Sequence, residues 1–282
     1  MLKSKHLIGL EDFPISDLNK IIDTSFKFKQ ILDSPGRKIN LLKGKTLVNM
    51  FFENSTRTKI SFALAEKRLG ADSINFSATG SSVKKGETLK DTVQNIESMQ
   101  IDGAIIRHSH PGAALKLTEY IDGSVINAGD GSHEHPTQAI LDMVTLKEKF
   151  GKLSNITVCW IGDFNNVLRS LIQAQHIYSF QLNIVMPKQI LGKNKLNINK
   201  IKHSKIKFTD NIKNGVMKSD CVMTDVWISM GEKNTKKKSF FKNYQVNNKV
   251  MQLAKKNAIF MHCLPAHRGE EVSNKVIDGH QS

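Results

Sequence analysis

Cysteine is scarce: the 282-residue chain has three, Cys159, Cys221 and Cys263. Three thiols so far apart exclude a disulfide framework and a zinc site of closely paired ligands, and reduced thiols are expected. No apolar run approaches the length of a membrane span, so no membrane association is expected. Met1-Leu2-Lys3-Ser4-Lys5-His6 lacks the apolar stretch and cleavage site of an export signal, which makes cytoplasm the expected compartment. Arginine is missing from 186–256, where 17 lysines face four acidic residues and supply about +13 of the net +15. Nucleic-acid readers mix Arg with aromatic platforms, whereas these lysines lie among Asn and Ile, so a solvated Lys-rich surface is expected and no nucleic-acid partner. The sequence also lacks a GxxxxGK[ST] loop, a GxGxxG after its first strand and a GxSxG elbow. Nucleotide binding and serine hydrolysis lose support accordingly.

What is present is a globular balance, 39% hydrophobic and 24% charged, in a chain long enough for two domains. Apolar runs of strand length alternate with helical periodicity: Thr46–Phe52 then Thr58–Leu69, Gly103–Ile106 then Ala113–Tyr120, Ser124–Asn127 then Thr137–Phe150. The pattern restarts with Ile156–Ile161, a helix from about Val167, then strands Gln181–Met186, near Asp220–Met223 and near Ala258–Met261. This rhythm predicts an α/β protein of two doubly wound parallel-sheet domains joined by a helix. Ligands of such folds bind at the C-terminal ends of strands, so the active site is expected in the crevice between the domains.

Several polar segments follow those strands. Phe51-Phe52-Glu53-Asn54-Ser55-Thr56-Arg57-Thr58 joins hydroxyls, one Arg and a helix start, a set suited to phosphate, although Asn54 or Ser55 as a plain helix cap is the bland alternative. Ser81–Thr88 is a polar loop with Lys84 and Lys85 that by itself reads as an exposed turn. Arg107 ends a buried strand, where a cation is either functional or paired. In Asn127–Gln138, His133 and His135 lack the helical spacing of zinc ligands, while His135 and Gln138 at a helix entrance suit a carbonyl and an amide. Gly162-Asp163-Phe164-Asn165-Asn166, Thr224–Gly231 and His262-Cys263-Leu264-Pro265 complete the set; a turn at Asn165-Asn166 and a cap at Asp225 are their simpler readings.

Taken together, these ordered motifs resemble the transcarbamoylase family over nearly the whole chain. The resemblance implies a carbamoyl-phosphate-binding domain at 1–134, an interdomain helix at 135–150 and an amino-acid-binding domain at 151–282. It implies that Ser55, Thr56, Arg57 and Thr58 hold phosphate with Arg107. His135, Thr58 and Arg107 would polarise the carbamoyl carbonyl, Gln138 would bind its amide, and Ser81 and Lys85 would reach a neighbouring subunit's site in a homotrimer. Asn166, Asp225, Ser229 and Met230 would orient the amino-acid end of ornithine, and Cys263 with the Leu264 backbone would line the gap between its δ-amine and the carbonyl. Arg57, Arg107, His135 and Cys263 are the catalytic candidates, and neither metal nor cofactor is implied.

Within that family the halves diverge. Phe51–Thr58, Ser81–Thr88, Arg107-His108 and Asn127–Gln138 look like the aspartate branch, whereas Gly162–Asn166, Asp225–Gly231, Tyr244-Gln245-Val246 and His262–Pro265 look like the ornithine branch. Ornithine's side-chain ammonium favours a carboxylate or sulfur neighbour and aspartate's carboxylate a cation. Asp225 and Cys263 therefore make ornithine the expected acceptor, giving citrulline as in arginine biosynthesis. The alternatives are an aspartate enzyme of pyrimidine biosynthesis and an impaired paralogue that only binds carbamoyl phosphate. By the same resemblance a donor-contacting Arg and a last helix are expected after Ser282 and are absent from this sequence.

Overall fold

The structure is a computed structural model that describes residues 2–34, 39–53, 55–77, 88–201, 203–228 and 235–282. It divides into two compact units, Met1–Val144 and Thr145–Ser282.

In the first unit, four strands, β1 (Thr46–Phe51), β2 (Asp72–Ser77), β3 (Gly103–His108) and β4 (Ser124–Asp130), form a parallel sheet in the order β2-β1-β3-β4. The helices α1 (Ile15–Leu32), α2 (Thr56–Leu69), α3 (Leu89–Glu97), α4 (Ala113–Leu117) and α5 (Pro136–Phe150) connect or flank the strands, and the boundary between units falls inside α5. Strand β3 buries a continuous apolar run and β1 one interrupted by Asn49, whose amide donates to Glu66, as a sheet covered on both faces requires. Val48, Met50, Ala104, Ile106 and Val125 share one core with Leu117 of α4. Gly70, at φ +85°, ends α2 in the left-handed conformation that a glycine adopts without a Cβ penalty. From β1 the chain turns to β2 on one side and then crosses to β3 on the other, so the switch in direction lies between β1 and β3.

The second unit repeats the principle with five parallel strands: β5 (Thr157–Ile161), β6 (Gln181–Val185), β7 (Ile206–Thr209), β8 (Cys221–Thr224) and β9 (Ile259–His262), in the order β7-β6-β5-β8-β9. Its switch lies between β5 and β8, and α6 (Asn166–Tyr178) follows β5. Cys159, Ile161, Val222 and Phe260 anchor its core, and burial drives the Cys159 thiol well above its ordinary range.

Strand and helix positions agree with the periodicity, apart from elements the pattern did not announce, among them α1, α3, β2 and β7. Strand β2 is an edge strand of mixed polarity, Asp72-Ser73-Ile74-Asn75-Phe76-Ser77, and β7 is four residues among lysines. Neither carries an uninterrupted apolar run. Among the described residues no helix is long and apolar enough to cross a membrane. One lysine departs from the expected solvated surface: Lys237 is buried and ion-paired with Asp163, because an ammonium removed from water needs a counter-charge.

Candidate functional site

Arg107 is the penultimate residue of β3, at the switch of the first sheet. Its Nε donates to Glu53 Oε2 at 3.2 Å and its Nη1 to the carbonyl of Ala128 at 2.9 Å. The guanidinium lies so close to Gly129 that a Cβ there would overlap Nη1, and Gly129 itself has φ +118°. Glycine therefore serves twice, for its backbone conformation and for the room it leaves the cation. Ser55 stands at the N-cap position of α2, but its side chain makes no cap bond; Ser55 Oγ donates instead to Thr58 Oγ1 at 2.9 Å. The first N–H groups of α2 thus receive no cap from Ser55, and Thr56 and the exposed Arg57 stand in the same first turn. Such a helix start favours an anion.

His135 precedes α5, its Nδ1 3.5 Å from Thr137 Oγ1. The residue retains some exposure by area, yet removal from water, helped by the Arg107 charge, pushes the imidazole pKa down to about 3. The ring is therefore neutral near pH 7 and acts as a hydrogen-bonding group. Gln138 Nε2 donates to Asp142 Oδ1 at 2.9 Å. The first unit thus groups cations and neutral polar groups after β1, β3 and β4.

In the second unit Asp225 follows β8 and is 7% exposed. Its Oδ2 accepts from Asn165 Nδ2 at 2.7 Å, while Oδ1 accepts from Val226 N at 2.8 Å and Cys263 Sγ at 3.2 Å. Residues after β5, β8 and β9 therefore meet on one carboxylate. Asn165 also caps α6 by accepting from Leu168 N at 3.1 Å, so the turn and the site share one side chain. Asn166, the first residue of α6, is buried beside it, whereas Leu264 is exposed with φ +62°. The Arg169 guanidinium lies 4.8 Å from the Phe164 ring centroid and makes none of the three Asp225 bonds.

Ser55, Thr56, Arg57, Thr58, Arg107, His135 and Gln138 belong to the first unit, and Asn166, Asp225, Cys263 and Leu264 to the second. Ser81, Lys85, Ser229 and Met230 lie outside the described residues. Sequence reasoning passed over Glu53 and Gly129 as partners of Arg107, and Asn165 as the partner of Asp225, since only tertiary distance reveals these pairings. Two groupings of potential metal donors occur among the described residues, Asp225-His262-Cys263 and His267-Glu270-Glu271. In the first, both His262 nitrogens are already engaged, Nε2 with Glu271 and Nδ1 with Leu264 N.

Two open parallel sheets, each with polar side chains gathered at the carboxyl ends of its strands, define a ligand-binding α/β enzyme. The description "aspartate/ornithine carbamoyltransferase, carbamoyl-P binding domain" matches residues 5–148, and the companion Asp/Orn binding domain matches 154–282. The aspartate carbamoyltransferase catalytic subunit of Christiangramia forsetii is 38% identical, spanning 98% of this chain and 89% of its own. The ornithine carbamoyltransferase of Bradyrhizobium diazoefficiens is 39% identical, spanning 99% and 90%. Most curated relatives of similar likeness bear the aspartate name. In solved structures, ornithine carbamoyltransferase from Thermus thermophilus matches with a TM-score of 0.85 at 28% identity, covering 99% of this chain and 92% of that one. The chain belongs to the aspartate/ornithine carbamoyltransferase family. Its activity class is carbamoyl transfer, and the family's substrates are carbamoyl phosphate and an amino acid.

Proposed function

We propose that the chain transfers the carbamoyl group of carbamoyl phosphate to the δ-amine of ornithine, releasing citrulline, phosphate and a proton. The donor lies against the first unit: Ser55, Thr56, Arg57 and Thr58 at the start of α2 take the phosphate with Arg107. Arg107, Thr58 and neutral His135 polarise the carbonyl, and the Gln138 carbonyl takes the carbamoyl N–H. Ornithine is oriented by Asn166, Asp225, Ser229 and Met230, with Cys263 and the Leu264 backbone beside the reacting amine. The amine loses its proton and attacks, the tetrahedral oxyanion is stabilised by Arg107 and its neighbours, and phosphate departs. Positioning and fixed positive charge supply most of that catalysis.

The observation that carries ornithine is the Asp225 carboxylate. A carboxylate has about four acceptor directions; described residues fill three, and the remaining one at Oδ2 suits an ammonium while the charge opposes aspartate's side-chain carboxylate. Among the described residues no arginine or lysine hydrogen-bonds it. Aspartate is the second reading, and whole-chain likeness favours it, since most curated relatives bear that name. Whole-chain identity weights the donor half as heavily as the acceptor half, and the residue chemistry of the acceptor half favours ornithine. Exposed Ile60 and Leu64 on α2 and Ile74 on edge strand β2 support an assembly of like subunits, with Ser81 and Lys85 completing a neighbour's site in a homotrimer. Removing the charge in Asp225→Asn should lower kcat/KM for ornithine by roughly 10–100-fold, the worth of one charge-assisted hydrogen bond. The KM for carbamoyl phosphate should hold, and an equal loss for donor and acceptor would remove Asp225 from the acceptor side.

A further inference from the structure

We infer that His262, its tautomer fixed by buried Glu271, is a positioning residue that holds the Cys263–Leu264 turn in place for transfer. The inference rests on the reading that this turn borders the acceptor.

Leu264 has φ +62°, a left-handed backbone that L side chains adopt only at a cost. Its N–H donates to His262 Nδ1 at 2.9 Å. That bond requires a lone pair on Nδ1, so the proton of the neutral imidazole sits on Nε2. Nε2 is 3.1 Å from Glu271 Oε1, an acceptor that selects this tautomer. The two side chains are 2% and 0% exposed, too deeply buried to touch a reactant. Glu271 Oε1 also accepts from His267 N at 2.5 Å, so one carboxylate ties both the start and the middle of the segment 262–271. The Glu271 backbone is fixed in turn, its carbonyl accepting from Val246 N at 2.8 Å. At the other end of the chain of bonds, Cys263 Sγ donates to Asp225 Oδ1. The buried pair therefore transmits its geometry to a thiol and a backbone turn without meeting substrate, as second-layer groups do around other sites.

The test is a pair of variants of similar polarity. His262→Asn places an amide oxygen near the position of Nδ1, keeping the acceptor for Leu264 N and needing no tautomer selection. His262→Gln reaches toward Glu271 and offers Leu264 N nothing. Cys159 and Cys221 are buried and Cys263 is partly open, so a small aromatic disulfide reagent reads the turn through one native thiol. For Gln, we expect that thiol to react several-fold faster than wild type and kcat to fall about tenfold to a hundredfold, the range for a displaced active-site segment. For Asn, both should return to within about threefold of wild type, at a melting temperature no higher than that of Gln. Gln equal to or better than Asn in thiol protection and kcat, or both variants matching wild type, would overturn the inference. The thiol measurement needs no turnover, so it judges the positioning role whichever acceptor is used. Loss of turnover in the wild type would count against the proposed function alone.

Discussion

The two units build their polar clusters from the same plan and with opposite charge. Each has a parallel sheet whose strand order reverses beside its first strand, and each gathers side chains where the strands end. In the first unit the centre is a cation, Arg107, backed by Glu53 and the Ala128 carbonyl and accompanied by a neutral imidazole. In the second it is a carboxylate, Asp225, backed by Asn165 and a thiol. Under the proposed function the cation would seat the anionic donor and the carboxylate would face the ornithine acceptor, which is the charge pattern that reading requires. An aspartate enzyme would need positive charge on both sides.

The comparison breaks most severely at Arg107. Arg107→Ala should lower kcat by about 10²–10³-fold, because it removes a fixed charge aimed at a developing oxyanion. Rate measurements at saturating substrates check this, and wild-type turnover would remove Arg107 from the chemistry. A subtler break leaves the cation present and moves it. Gly129→Ala puts a methyl group where Nη1 lies, and should cost roughly 10–100-fold in kcat while the Arg107 charge remains. Comparing the two variants in one assay separates the presence of the charge from its placement.

The smallest effect concerns His135. Its folded pKa, about 3, lies below the ordinary imidazole value of 6.5. As pH falls through 6.5 the unfolded chain takes a proton that the folded chain refuses. The stabilising contribution is therefore whole above about pH 6.5 and shrinks towards pH 3. Thermal midpoints at pH 7 and pH 4.5 should differ less in His135→Gln than in the wild type, and equal differences would place the ring in water. In the folded enzyme His135 should add no limb to the rate profile between pH 5 and 8.

How much of this was readable beforehand follows from the kind of signal each residue carries. Arg107 follows the buried apolar run of β3 and Asp225 follows β8, positions that local patterning exposes. The alternation of strand and helix fixed the parallel sheets for the same reason. Gly129 was visible only as part of a glycine turn, because its second duty depends on a guanidinium 22 residues earlier in the chain. Lys237 was hidden in a run of lysines, and its burial depends on Asp163 on a different element. Glu271 lies in an irregular segment without periodicity, so its tie to His262 appears only when distances are known. Charge at strand ends is a local property, whereas the support of that charge is not.

The opposite polarity of the two clusters is tested most directly by competition. Ornithine and aspartate are supplied together at equal concentration with saturating, carbamoyl-labelled carbamoyl phosphate, and labelled citrulline and carbamoyl-aspartate are counted from one reaction. A carboxylate centre that no described arginine or lysine hydrogen-bonds should favour ornithine by of order a hundredfold, since like charges in a confined site cost several kcal/mol. Carbamoyl-aspartate as the major product would contradict the account and show that Asp225 does not set the acceptor.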